Sequence, residues 1–245
     1  MTQTGLRKPR RTKAQLEEDL LNGLERLVAK MGFTNIPLYM ITQEADIDSN
    51  VFYRRYKNVN ELFALLAHRY DSWINELITP KDIELLGERK ALINMLQKGF
   101  YGLSNNRMMQ RLLVWELSDS NEVTRQTAAA RLKSMRPIIK RYSDYSRGKG
   151  VDMKSSISIL ICALFYMVLR RSIFISSQAT TPNTSFEDRE ILSALEMMVN
   201  LLFDRMERNQ KLKNRITMML DDGISPENIQ RYLEITSSEY EFAMA

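Results

Sequence analysis

Arg54 and Arg55 stand between Tyr53 and Tyr56 in the stretch DSNVFYRRYKNVNEL, residues 48–62. A guanidinium pairs bidentately with phosphate oxygens or a guanine edge, and a tyrosine hydroxyl reaches phosphate. Ser49 and Asn50, just before them, are small and polar enough to reach other base edges. On a helix capped by Ser49 and running through Tyr56, Phe52 and Tyr56 share a packing face with Ile47. Ser49, Asn50, Val51, Tyr53, Arg54 and Arg55 then form a front whose chemistry is recognition of a polyanion. The same adjacent charges also read as the solvated face of a surface helix.

Chemistry that makes or breaks bonds finds little material. Cys162 and His68 are the only residues of their types, which excludes disulfides within the chain, multi-thiolate zinc sites and paired-histidine metal sites. Nine glycines form neither a phosphate loop nor a dinucleotide fingerprint. Cys162 lies in the most apolar stretch, where a thiolate is disfavoured, and Glu116 beside Trp115 has no identifiable acid–base partner. No enzyme, cofactor or metal is expected.

Charge points the same way as the arginines. Lysine and arginine number 35 against 30 aspartates and glutamates, and the first thirteen residues hold Arg7, Lys8, Arg10, Arg11 and Lys13 without an acid. This arm equals the net excess of +5. It fits a polyanion partner and equally a solvated terminus. The N-terminus lacks the apolar stretch of a signal peptide. The most apolar run, Ile157 to Leu169, spans about 20 Å as a helix, against the roughly 30 Å of a bilayer. The expectation is a helix buried within the protein or at a subunit interface, no membrane partner, and a cytoplasmic location.

The elements that must position the arginines are helical throughout. Leu16, Leu20, Leu24, Leu27, Val28 and Met31 form a stripe ended by Gly32. Pro37 opens a second helix carrying Leu38, Ile41 and Ala45, and residues 46–48 make a polar turn. A capping pair, Asn58 and Glu61, starts a fourth helix toward Thr79, which Pro80 closes. Further helices are expected near 82–104, 107–118, 121–146 with a kink or break at Pro137, 152–176, and 186 to about 221. Two short helices joined by a tight turn, the second with an apolar back and a polar front, make a helix-turn-helix that fits the major groove.

Residues 12–66 resemble the N-terminal domain of the tetracycline-repressor (TetR) family, whose pattern IA..AGVS.GTLY.HF..K..L follows a first helix. The chain reads ITQEADIDSNVFYRRYKNVNEL from Ile41 to Leu62, matching at Ile41, Ala45, Ile47, Phe52, Tyr53, Tyr56, Glu61 and Leu62. Three positions depart. Thr42 replaces an alanine, and its hydroxyl is expected to bond a carbonyl one turn back. Asp46 replaces the turn glycine, and Val59 stands where many members have a phosphate-binding lysine that Lys57 would substitute. The resemblance implies DNA contact by Tyr39, Ser49, Asn50, Val51, Tyr53, Arg54, Arg55 and Lys57, with Arg10, Arg11 and Lys13 as an arm, and Phe52 and Tyr56 in the core.

It also implies a homodimer reading palindromic double-stranded DNA, acting as a repressor released by a small-molecule effector. The expected division is a basic arm at 1–13, a DNA-binding domain at 14–58, a helical regulatory and dimerisation domain at 59–208, and a C-terminal appendage at 209–245. Ile191, Leu195, Met198, Leu202 and Met206 repeat a stripe suited to a dimer interface, or to ordinary core packing. Trp73, Phe100, Met108, Met109, Trp115, Phe165, Tyr166 and Arg170 are the effector-pocket candidates, although fifteen methionines also serve as core filler. In the tail, Gly223, Ser225, Pro226 and a cap at Ser237 delimit two short helices. Their spacing resembles helix-turn-helix tails with too few basic residues to read DNA, so a docking or dimer-bracing role is expected. A helical adaptor that keeps the fold without binding DNA is the alternative.

Overall fold

The computed structural model describes residues 11–71, 77–175 and 184–244, and these are helical with no strand. The helices are α1 (Lys13–Met31), α2 (Leu38–Glu44), α3 (Ser49–Tyr53), α4 (Val59–Asp71), α5 (Pro80–Ser104), α6 (Arg107–Ser118), α7 (Glu122–Tyr145), α8 (Met153–Ile175), α9 (Thr184–Asp221), α10 (Pro226–Leu233) and α11 (Ser237–Met244). Contacts divide the chain into two units. One contains Met1–Trp73 with Ser104–Leu132, the other Ile74–Leu103 with Lys133–Ala245.

The first unit is built around α1. Thr12 and Gln15 form a reciprocal capping box at its start, satisfying two otherwise unpaired backbone donors. The leucine stripe is buried from Leu16 to Val28, but Met31 is 47% exposed because it lies past the last packed turn. Gly23 packs against α2: a Cβ there would meet Ala45 Cβ at 3.4 Å and the Ile41 carbonyl oxygen at 3.5 Å, in van der Waals contact. Trp115 of α6 stacks on Phe33 at 4.7 Å between ring centroids, with Phe63 of α4 tilted against both. Arg111 Nη1 donates to the Val28 carbonyl at 2.6 Å, satisfying the C-terminal end of α1. Glu116 and Arg131 form a bidentate pair at 2.5 and 3.0 Å, both under 10% exposed, and the Thr127 hydroxyl also donates to Glu116.

In the second unit the break in helical geometry is not where proline suggested. The helix runs through Pro137, whereas α5 is interrupted at Gly87, whose φ of 72° is outside the helical region. Just past that break, Tyr142 donates to the Glu88 carbonyl at 2.9 Å and Arg141 pairs with the Glu88 carboxylate. Burial raises the Tyr142 hydroxyl pKa. Arg89 bridges to Asp204 and Glu207 of α9 at 2.7 and 2.6 Å and lies over the Phe203 ring.

Helix α8 corrects the length argument. It has 23 residues, about 35 Å at the α-helical rise, because helix continues beyond the apolar run at both ends. Among the described residues it alone, over Met153–Arg171, is long and apolar enough to cross a membrane, and a third of that window is buried. One side packs through Ile157, Leu160, Leu164 and Val168. The other exposes Ile159, Cys162, Ala163, Tyr166, Met167 and Arg170, spaced by threes and fours along one face.

The chain closes with a small core of its own. Ile216, Ile229 and Ala243 are buried together, with Leu212, Met219, Ile224, Leu233, Ile235 and Tyr240 against them. Helix α9 ends in a Schellman motif: Ile224 N donates to the Met219 carbonyl and Gly223 N to Leu220. Ser225 caps α10 as expected. The cap of α11, however, is Thr236 rather than Ser237, since Thr236 and Glu239 exchange backbone and side-chain bonds.

Candidate nucleic-acid interface

The turn between α2 and α3 is closed by backbone bonds. Ile47 N donates to the Thr42 carbonyl at 2.9 Å and Asp46 N to that of Gln43 at 3.2 Å, a Schellman pattern with Asp46 left-handed at φ 53°. Aspartate tolerates this region better than most residues. Arg11 holds the turn from outside. Its Nη1 donates to the carbonyls of Ala45 and Asp46 at 3.1 and 2.9 Å, and its Nε pairs with Asp19 at 3.2 Å. Thr42 is buried, and its hydroxyl donates to the Leu38 or Tyr39 carbonyl, as its position requires.

Helix α3 is shorter than expected and begins differently. Asp48, not Ser49, is the cap, its carboxylate accepting from Asn50 N at 2.7 Å, and regular helix ends at Tyr53. A carboxylate already occupies the helix start, so the start itself offers no free phosphate seat. Arg55 and Tyr56 continue in a turn closed onto the Phe52 carbonyl. Lys57 N donates to Glu61 at the entry to α4.

Phe52 is fully buried and Tyr56 is 8% exposed, their rings 5.2 Å apart. Tyr56 donates to Glu17 at 3.1 Å, and burial followed by that carboxylate pushes its hydroxyl up to about 12. Opposite them Ser49, Asn50, Tyr53, Arg54, Arg55 and Lys57 are exposed, as are Tyr39 and Lys13, while Val51 is half-buried. The cations are not equivalent. Arg55 Nη1 donates to the Lys13 carbonyl at 3.0 Å, tying the turn to the first residue of α1. Lys13, Arg54 and Lys57 form no ion pair among the described residues. The front therefore holds three uncommitted cations beside small polar groups and two exposed tyrosines. Arg10 lies outside the described residues.

The other candidates are divided between the two units. Trp115, Met108 and Met109 are buried in the first unit, Trp115 inside the aromatic trio with Phe33 and Phe63. Phe100, Phe165, Tyr166 and Arg170 belong to the second, with Phe100 buried and Tyr166 62% exposed. Trp73 lies outside the described residues. On α9, Leu195 and Met206 are buried, Ile191 and Leu202 half-buried, and Met198 exposed. The large exposed apolar groups there are Met197 (55%), Met198 (47%) and Leu201 (55%), with Met218 (67%) further along the helix. Periodicity located a stripe but not which side of it the core took.

No group of acidic, histidine and cysteine side chains suited to a metal occurs among the described residues. No protein-family model, curated protein or solved structure matches the chain.

Proposed function

We propose that this protein is a DNA-binding transcriptional regulator, in keeping with its resemblance to the tetracycline-repressor family. The α2–α3 pair acts as a helix-turn-helix. The observation that carries this reading is the division of α3 and its following turn into a buried Phe52–Tyr56 back and an exposed front of Ser49, Asn50, Tyr53, Arg54 and Lys57. Backbone bonds and the Arg11 clasp hold the turn without using the side chains of Arg54 or Lys57. In this reading Arg54 and Lys57 neutralise phosphate or meet guanine, and Ser49 and Asn50 meet base edges.

A reading element of five helical residues needs a second copy for affinity. The exposed stripe of α8 and the Met197, Met198 and Leu201 patch of α9 are apolar surfaces suited to that contact. A two-fold dimer would present two α3 helices to a palindrome. It would also cover the exposed apolar face that makes α8 resemble a membrane span, consistent with a soluble protein.

The carboxylates of Asp46 and Asp48 beside the front favour a second reading, a helical adaptor that does not bind DNA. Selection of bound sequences from a random duplex pool separates the two, with Arg54→Ala as control. Enrichment of a palindrome by the native protein, lost in the variant, is expected. No enrichment at low salt by folded dimer would leave the adaptor.

A further inference from the structure

The turn between α10 and α11 repeats the pair of backbone bonds that closes the turn between α2 and α3. Glu234 is left-handed at φ 52°, as Asp46 is at 53°. Ile235 N donates to the Gln230 carbonyl at 3.0 Å and Glu234 N to that of Arg231 at 3.4 Å, the same pair of bonds that Ile47 and Asp46 make. An isoleucine follows the left-handed residue in both, then a capping residue, Asp48 or Thr236, then serine. The fourth residue of each second helix, Phe52 or Tyr240, turns to its local core.

The outward chemistry is opposite. Helix α11 carries Glu239 and Glu241 and no cation, and the sixth position, Arg54 in the first pair, is Phe242 in the second. Phe242 sits on the loop between α7 and α8. A Cβ added at Gly150 would lie 2.5 Å from its Cε1, 2.6 Å from its Cζ and 2.7 Å from Asn209 Nδ2, so the ring rests on bare backbone and a side chain there would have to displace it. Gly150 also has φ 66°, and Asn209 of α9 donates to the neighbouring Lys149 carbonyl at 2.8 Å. The Lys149 ammonium in turn lies over the Tyr145 ring at 3.6 Å.

We propose that α10 and α11 form a protein-docking strap, built on the same turn as the α2–α3 pair, whose ligand is the chain's own α7–α8 loop. Phe242 is the anchor and Gly150 its seat. The loop leads directly into α8, whose start is capped by Asp152 through Ser155 N at 3.0 Å. The strap therefore fixes where α8 begins against the end of α9. It depends on neither DNA binding nor dimerisation, and its test reads neither.

Hydrogen exchange of the full chain tests it. In Phe242→Ala the Lys149 and Met153 amides, which bond within the loop to Ser146 and Val151, should exchange at least about tenfold faster, with Ile229 in the tail core unchanged. Unchanged loop rates in that variant would overturn the strap. A matched glycine pair covers the case in which Phe242→Ala unravels the tail. Gly148 and Gly150 are both left-handed, at φ 71° and 66°, but a Cβ at Gly148 meets nothing within 4 Å. Gly150→Ala should speed exchange of the Tyr240 amide about tenfold while Gly148→Ala does not. Equal effects of the two would refute docking at Gly150.

Discussion

Arg11 Nη1 donates to the carbonyl oxygen of Asp46 at 2.9 Å, so a residue of the basic arm closes the turn that aims α3. The carbonyl belongs to a left-handed non-glycine residue. The clasp and the strained residue should be separable by mutation. Asp46→Gly should leave stability within about 0.5 kcal/mol of the native protein, since lost aspartate contacts offset relieved strain, whereas Asp46→Val should cost about 1–2 kcal/mol. Arg11→Ala should cost about 1 kcal/mol, two hydrogen bonds and a partly exposed ion pair with Asp19 being lost. Urea unfolding of the three variants reads these values.

Arg54 and Arg55 should behave differently despite their adjacency. Arg55→Ala removes the bond to the Lys13 carbonyl and is expected to lower stability by about 0.5–1.5 kcal/mol. Arg54→Ala should leave stability unchanged, weaken the proposed DNA binding and reduce its salt dependence by about one counterion. Thermal unfolding beside a salt titration of binding distinguishes them. Equal stability loss in both would mean that Arg54 is structural.

Tyr56 should give the first unit an alkaline weakness. Its hydroxyl ionises near 12 when folded, against about 10 in an unfolded chain. The raised folded value means that the contribution is complete below about 10 and is lost as pH rises through about 12. Tyr56→Phe removes this titration, so stability measured between those limits should fall less steeply than in the native protein. Superimposable slopes would contradict the burial and the Glu17 bond as causes.

The buried Glu116–Arg131 pair is expected to dominate the mutational cost around α6. Glu116→Ala removes the carboxylate that pairs bidentately with the Arg131 side chain, 7% exposed, and a loss of about 3–5 kcal/mol follows. Replacing both partners by apolar residues of similar volume should recover most of it. Denaturant midpoints for the single and double variants make the comparison.

In the proposed dimer, charge placed on the apolar patch of α9 should separate the subunits without unfolding them. Met197→Glu with Leu201→Glu puts two carboxylates where 55% exposed apolar side chains now stand. Sedimentation should show a monomer with native helix content. A dimer of unchanged stability would move the interface elsewhere.

Helix positions in this chain were legible because caps and apolar spacing are local. Arg107–Ser118 matches its expected bounds, and Pro226 stands where a first-turn proline should. Thr42 was legible too, since a buried hydroxyl on a helix has a carbonyl one turn back. Asp48 was missed as the cap because Asp48 and Ser49 are both good cap residues in sequence, and only the register of the turn chooses. Gly87 was missed as the α5 break because an isolated glycine inside a helical pattern gives no warning of its backbone angle.

Composition and periodicity determined an all-helical chain, the amphipathic α3 and the two short C-terminal helices, since each follows from spacing along one segment. Tertiary structure decided which cations are left over. Arg11 and Arg55 are committed to backbone carbonyls 35 and 42 residues away, while Arg54, identical in type to its neighbour, is not. It likewise decided that Gly150 receives Phe242. A side chain's partner depends on what distant segments bring within about 3 Å, and that distance is set by packing, which local spacing does not encode.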